Sequence, residues 1–161
     1  MKRMVKFALE HYQIDVVHTQ HLRMSQYTKD LGLPKILDLP DAFSLYFKRR
    51  KETERPFINR IIDAIEIGRL ARAEKVVTQF DKTLVCSVED KAYLEKLHKA
   101  SNIDILLNGV DLETFDVKLG HDYSHEHTIL FTGNMDYAPN IDGVHYFAKE
   151  MWPSLAEKYP N

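Results

Sequence analysis

Cysteine is nearly missing from this sequence: Cys86 stands alone among 161 residues. A single thiol excludes an intrachain disulfide and fits a reducing compartment. It lies in the strand-like run TLVCS, where a small core residue is the plain reading and a nucleophile the exception. Long apolar runs are missing too. None approaches the roughly 18 residues that a membrane-crossing helix needs. The opening MKRMVKFALEHYQ has neither the long apolar segment nor the small-residue cleavage site of a secretion signal. No charge of one sign dominates: 22 Lys and Arg against 24 Asp and Glu leave a net charge of −2. Nothing in that balance predicts a nucleic-acid partner. With 44% hydrophobic and 29% charged residues, the expectation is a soluble, cytoplasmic globular protein of one domain or the adjoining parts of two.

What is present is an alternation of two patterns. IDVVHT (14–19), KILDLP (35–40), TLVCS (83–87), IDILLN (103–108) and TILFTG (128–133) are short apolar runs. Their apolar residues are continuous rather than alternating, which predicts buried strands in a sheet covered on both faces. Helical spacing fills the gaps. Val5, Leu9 and Tyr12 mark 2–12; Ile58, Ile61, Ile62, Ile65, Leu70, Ala73, Val76 and Val77 give 56–80 one apolar face, with Pro56 suited to its first turn. Ser87 to Asp90 resembles a capping box opening the helix that carries Tyr93, Leu94 and Leu97. Strands alternating with helices predict an α/β fold, a parallel Rossmann-like sheet with flanking helices and right-handed crossovers. The polar stretch 109–127, GVDLETFDVKLGHDYSHEH, reads as a linker or long loop.

Several groups offer chemistry, each beside a plainer role. Gly133 and Asn134 end a strand, and a helix opens near Pro139 or Asn140; free amides at such a turn favour a phosphate. Asp136 and Asp142 could instead complement the helix dipole, and Tyr137 could simply pack. Asp38, Asp41 and Ser44 sit where a strand meets a helix, the edge at which open parallel sheets bind ligands. Two carboxylates there suit Mg²⁺, a base or sugar hydroxyls; the plainer role has Asp41 cap the next helix and Asp38 accept loop hydrogen bonds. His18 and His21 flank the same edge. His121, His125 and His127 lack cysteines to complete a zinc site and read as solvated loop. The run KRRK (48–51), followed by Glu52 and Glu54, reads as a solvated helix face rather than a phosphate or membrane-surface patch.

ILLNGVDLETF (105–115), followed by ILFTGNMDYAPNIDGVHYFAKEMWP (129–153), resembles the centre of family-4 glycosyltransferases of the GT-B fold. The likeness is nearest to sugar transferases of bacterial exopolysaccharide and PEP-CTERM systems. ILDLPDAFS and EIGRLARAEKVV…TLVCSVED look like segments of that group in the same order, so the resemblance runs from about Ile14 to Pro160. It implies a partial GT-B chain: residues 1–108 the end of an N-terminal Rossmann-like domain, 109–127 the interdomain linker, and 128–161 the truncated start of a donor-binding domain. The chain is then expected to be a central fragment. The implied reaction, with retention, moves a sugar from a nucleotide-sugar donor to a hydroxyl of a glycan or lipid-linked acceptor, serving polysaccharide biosynthesis. No tightly bound cofactor or metal is implied; backbone amides and basic side chains stabilise the leaving diphosphate. Gly133 and Asn134, with Asp136, Tyr137 and Asn140, would face the donor. Asp38, Asp41 and Ser44, with His18 and His21, would line the cleft edge. Asn108, Gly109, Val110 and Asp111 would form the hinge. The family's basic pair and Glu-x7-Glu donor segment are expected beyond Asn161, so the chain alone should be inactive and its catalytic residues stay unassigned.

Two other readings compete. A receiver-like signalling domain also has five alternating strands and a carboxylate pair, but it wants a lysine just after the last strand, where Thr132, Gly133 and Asn134 stand. A non-catalytic interaction module would use exposed sheet edges to form a homodimer. Peripheral membrane association is the remaining partnership that the reading leaves open.

Overall fold

A computed structural model describes residues 1–52, 56–115 and 128–160. By internal contacts the chain divides into two compact units, Met1–Val110 and Asp111–Asn161. The expected histidine loop at His121, His125 and His127 lies outside the described residues.

The first unit is α/β. Its elements run α1 (Lys2–His11), β1 (Val17–Gln20), the single turn α2 (Leu22–Ser25), β2 (Lys35–Asp38), α3 (Phe43–Glu52), α4 (Phe57–Glu74), a 3-10 turn (Lys75–Gln79), β3 (Lys82–Val85), α5 (Val88–His98) and β4 (Ile103–Ile105). The strands form one sheet in the order β1-β2-β3-β4, every pair parallel. The core is mostly aliphatic, with Leu37 and Leu39 from β2 and its exit, Val77, Val85, Leu94 and Ile103 joined by Phe80. Each such side chain gains roughly 1.5–3 kcal/mol by leaving water.

Sequential order has a geometric consequence. Each crossover steps in the same direction, and right-handed crossovers then lay their helices on one face of the sheet. Burial follows suit and alternates along the strands. Thr19, Leu37, Thr83, Val85 and Ile103 are buried, whereas His18, Gln20, Ile36, Asp38, Lys82, Leu84 and Asp104 between them are exposed or half-buried. This corrects the expected sheet covered on both faces. The second face is instead bridged by side-chain pairs: Lys82 Nζ to Asp104 Oδ2 at 2.6 Å and His18 Nε2 to Asp38 Oδ2 at 3.7 Å. The Lys82 hydrogen bond and charge hold the exposed Asp104 carboxyl below its ordinary range.

α4 corrects a second expectation. At about 100° per residue, Ile58, Ile61, Ile62 and Ile65 do share a face, but that face is exposed. The helix turns the other way and buries Asp63 and Glu74. Asp63, 1% exposed, takes a forked ion pair from Arg50, whose guanidinium lies 4.1 Å from the Phe47 ring centroid. Arg50 is therefore a packing residue, unlike its exposed neighbours Lys48 and Arg49.

The second unit carries one continuous helical stretch, 138–158, among its described residues. α6 (Ala138–Tyr146) passes through a π-helical segment (Phe147–Met151) into α7 (Trp152–Lys158). Pro153 stands in the first turn of α7; its ring crowds the carbonyl one turn back and supplies no amide proton, a sufficient reason for the widened turn. Among the described residues, 128–133 pair with no strand. Their apolar pattern suits a strand, but a strand also needs a neighbour for its amides and carbonyls.

Candidate functional site

The strands end in a cluster of acids. β2 delivers Asp38 at its last position, and Leu39 and Pro40 carry the chain to Asp41. β3 exits through Cys86 and Ser87 into α5. Ser87 caps that helix, its hydroxyl accepting the Asp90 amide at 3.0 Å and donating to Asp90 Oδ2 at 2.6 Å. Asp90 Oδ1 also accepts the Ala42 amide at 3.3 Å, tying the start of α5 to the start of α3. The box expected at Ser87 is thus present with a different second arm: Asp90 reaches across to another helix.

Asp41 does not cap α3. Ala42 occupies the position before Phe43, and Asp41 lies one residue too early and is exposed. The cap comes from 30 residues away. Glu74, fully buried at the end of α4, accepts the Ser44 amide at 2.9 Å and the Ser44 hydroxyl. The Tyr93 hydroxyl lies 3.1 Å from Ser44 Oγ and extends the chain to α5. Burial pushes the Glu74 carboxyl above its ordinary value, against the opposing hydrogen bonds from Ser44. Ser44 is therefore a buried structural group, inaccessible to a ligand.

Asp41, Cys86 and Asp90 bring three potential ligand atoms within 4.8 Å of one another. Their chemistry argues against a cation. Both Asp90 oxygens are engaged, and the Cys86 thiol donates to Pro40 O at 2.8 Å. Burial raises the Cys86 pKa, and the charges of Asp41, Asp90 and Asp38 raise it further. A thiol held protonated is a poor metal ligand and a poor nucleophile. The edge that remains is electronegative, with Asp41 exposed and Asp38 half-buried beside His18. Such carboxylates accept hydrogen bonds from hydroxyls and repel phosphates.

His21 enters this edge with its backbone at φ 68°, ψ 144°, and its amide donates to Asp38 O at 2.8 Å. That conformation is one that side-chain-bearing residues seldom adopt. The structure thus brings His18, His21, Asp38 and Asp41 to one edge.

In the second unit, Gly133, Asn134, Asp136, Tyr137 and Asn140 form a self-bonded turn. Asn134 Oδ1 accepts the Asp136 amide at 2.9 Å, and Asn140 Nδ2 donates to Asn134 O at 3.0 Å. A Cβ on Gly133 would lie 2.9 Å from Asn140 Nδ2 and 3.0 Å from the Phe131 ring, so a larger residue would push these side chains aside and disturb the turn. Tyr137 precedes α6 without a side-chain cap. In the segment expected to form a hinge, Asp111 Oδ1 accepts the Glu113 amide at 2.9 Å and Asp111 Oδ2 the Thr114 hydroxyl at 2.7 Å, bonds that lower its pKa.

Glu66 and Glu74 stand at the Glu-x7-Glu spacing of the donor segment, within this chain. Glu66 pairs with Arg69 at 2.8 Å and Glu74 is sealed against Ser44, so both serve the helix layer. Comparison of the chain with protein-family models, curated proteins and solved structures finds no match. Sequence reasoning missed the buried roles of Glu74 and Asp63, the reach of Asp90 to Ala42 and the contact of the Tyr93 hydroxyl with Ser44. A signal existed for Glu74: Leu70, Glu74 and Val77 follow i, i+4, i+7 spacing, a carboxylate among apolar residues of which Glu74 and Val77 are buried and Leu70 half-buried.

Proposed function

We propose that the chain supplies the acceptor-side lobe and hinge of a retaining glycosyltransferase that uses a nucleotide-sugar donor. The observation that carries this reading is the position of Asn108-Gly-Val-Asp111: the motif straddles Val110 and Asp111, where the two compact units meet in sequence. The parallel sheet and its acidic edge add support. Asp38 and Asp41 suit a polyhydroxyl acceptor, orienting its hydroxyls through charge-assisted hydrogen bonds. The start of α6, which has no side-chain cap, suits the donor diphosphate, although the Asp136 and Tyr137 amides are already held by Asn134. A receiver-like domain is disfavoured by sheet order, since that fold runs 2-1-3-4-5 and this sheet runs β1-β2-β3-β4.

The test is amide-resolved binding followed by turnover. Saccharides are expected to perturb the resonances around Asp38 and Asp41, and Asp41→Asn to weaken them about tenfold, the scale of one charge-assisted hydrogen bond. The 161 residues alone are expected to show no turnover of nucleotide sugars. Saccharide binding that ignores Asp41→Asn, or turnover by the isolated chain, contradicts the proposal.

A further inference from the structure

A cavity of about 930 Å³ opens between α2, the start of α3, the end of α4 and the Lys75–Gln79 turn. Its floor is apolar, built from Leu22, Met24, Phe43, Leu70, Ala73 and Val76. Its charged lining is of one sign: Arg23, Lys29, Arg72 and Lys75, with no Asp or Glu. Lys29 is paired with Asp30 at 3.0 Å. Among the described residues, Arg23, Arg72 and Lys75 have no carboxylate partner. Two of the nearby polar groups are already engaged, Gln26 Nε2 donating to Arg23 O at 2.8 Å and Ser25 Oγ to Leu22 O at 2.6 Å.

We propose that this cavity binds a single-chain anionic amphiphile, its aliphatic tail on the apolar floor and its phosphate or carboxylate head among Arg23, Arg72 and Lys75. The volume falls within the roughly 300–1,000 Å³ of small-molecule sites, which are mostly apolar with a few polar anchors. Guanidinium groups match phosphate and carboxylate with paired, charge-assisted hydrogen bonds. A free anion leaves the floor unused, and a neutral lipid leaves the cations uncompensated. The inference does not rest on glycosyl transfer: although His21 borders both the cavity and the acidic edge, the proposed anchors Arg23, Arg72 and Lys75 lie in the helix layer.

Calorimetric titration of the whole chain tests it. Dodecyl phosphate and dodecanoate, below their micelle concentrations, are compared with inorganic phosphate, dodecyl maltoside and dodecyltrimethylammonium. At least one anionic amphiphile should bind one-to-one and at least tenfold more tightly than every control; the tighter of the two identifies the head group. Arg23→Glu combined with Arg72→Glu, at exposed positions, should weaken binding at least tenfold while the far-UV spectrum and melting curve stay native. Ala73→Trp, which fills the floor and keeps every charge, should weaken it similarly. Inorganic phosphate binding as tightly, a cationic amphiphile binding equally well, or affinity unchanged in both variants would overturn the proposal.

Discussion

Replacing Glu74 separates two roles that a buried carboxylate can play. In Glu74→Ala, the Ser44 amide loses its acceptor in a fully buried site, while the Ser44 hydroxyl can still turn to the Tyr93 oxygen. The unsatisfied amide costs about 1–3 kcal/mol, and the space left by the side chain adds about 2 kcal/mol or more. The expected loss is about 3–5 kcal/mol. In Glu74→Gln, one oxygen still accepts the Ser44 amide. The new NH₂ donates to Ser44 Oγ, whose proton turns to the Tyr93 oxygen 3.1 Å away. Every group keeps a partner, so the loss should stay below about 1 kcal/mol near neutrality. The pH response has a definite sign. Burial raises the Glu74 pKa above the usual 4.5, so its contribution is complete below that value and declines as pH climbs through the raised one. The Gln variant has no such titration, and its stability relative to the natural chain should improve as pH climbs from about 4.5. Urea unfolding at several pH values reads this directly. A Gln variant as unstable as the Ala variant at every pH would refute the reasoning, because it would make the charge, not the acceptor geometry, the stabilising feature.

Asp63→Ala removes the buried carboxylate that holds Arg50, and about 2–4 kcal/mol should be lost. That is toward the lower part of the range for broken buried pairs, because the Arg50 side chain keeps 28% exposure to water; urea unfolding of Arg50→Met with Asp63→Leu should recover most of the loss. His21→Gly removes the disfavoured φ of 68° and should raise stability by about 1 kcal/mol while weakening saccharide binding at the edge. Lys99→Gly, at the left-handed residue with φ 52° that closes α5, should raise the melting temperature, the gain being about 0.5–1 kcal/mol. An unchanged or lower melting temperature for both glycine variants would show that these backbones are not strained.

The α/β class was legible because short aliphatic runs and helical periods alternate, and that alternation leaves few packings. Which faces are covered was not. Leu37 and Leu84 look alike in sequence, yet one is buried and the other half-buried, because strand order decides the side on which crossovers lie. The run at 128–133 looked like its predecessors, but pairing depends on a neighbour that local pattern cannot supply. Asp38 and Asp41 were legible as strand-end carboxylates. The Glu74–Ser44–Tyr93 chain was not, since its members are 30 and 49 residues apart and meet only through packing.

The acceptor and donor assignments meet in one measurement: amide chemical-shift mapping of the isotopically labelled chain with uridine, guanosine and adenosine diphosphate sugars. The account predicts that at least one nucleotide sugar shifts the amides of Gly133 to Tyr137 in a saturable manner and that the parent sugar alone does not. A titration in which no nucleotide sugar moves those amides, while the rest of the spectrum reports a folded chain, contradicts it.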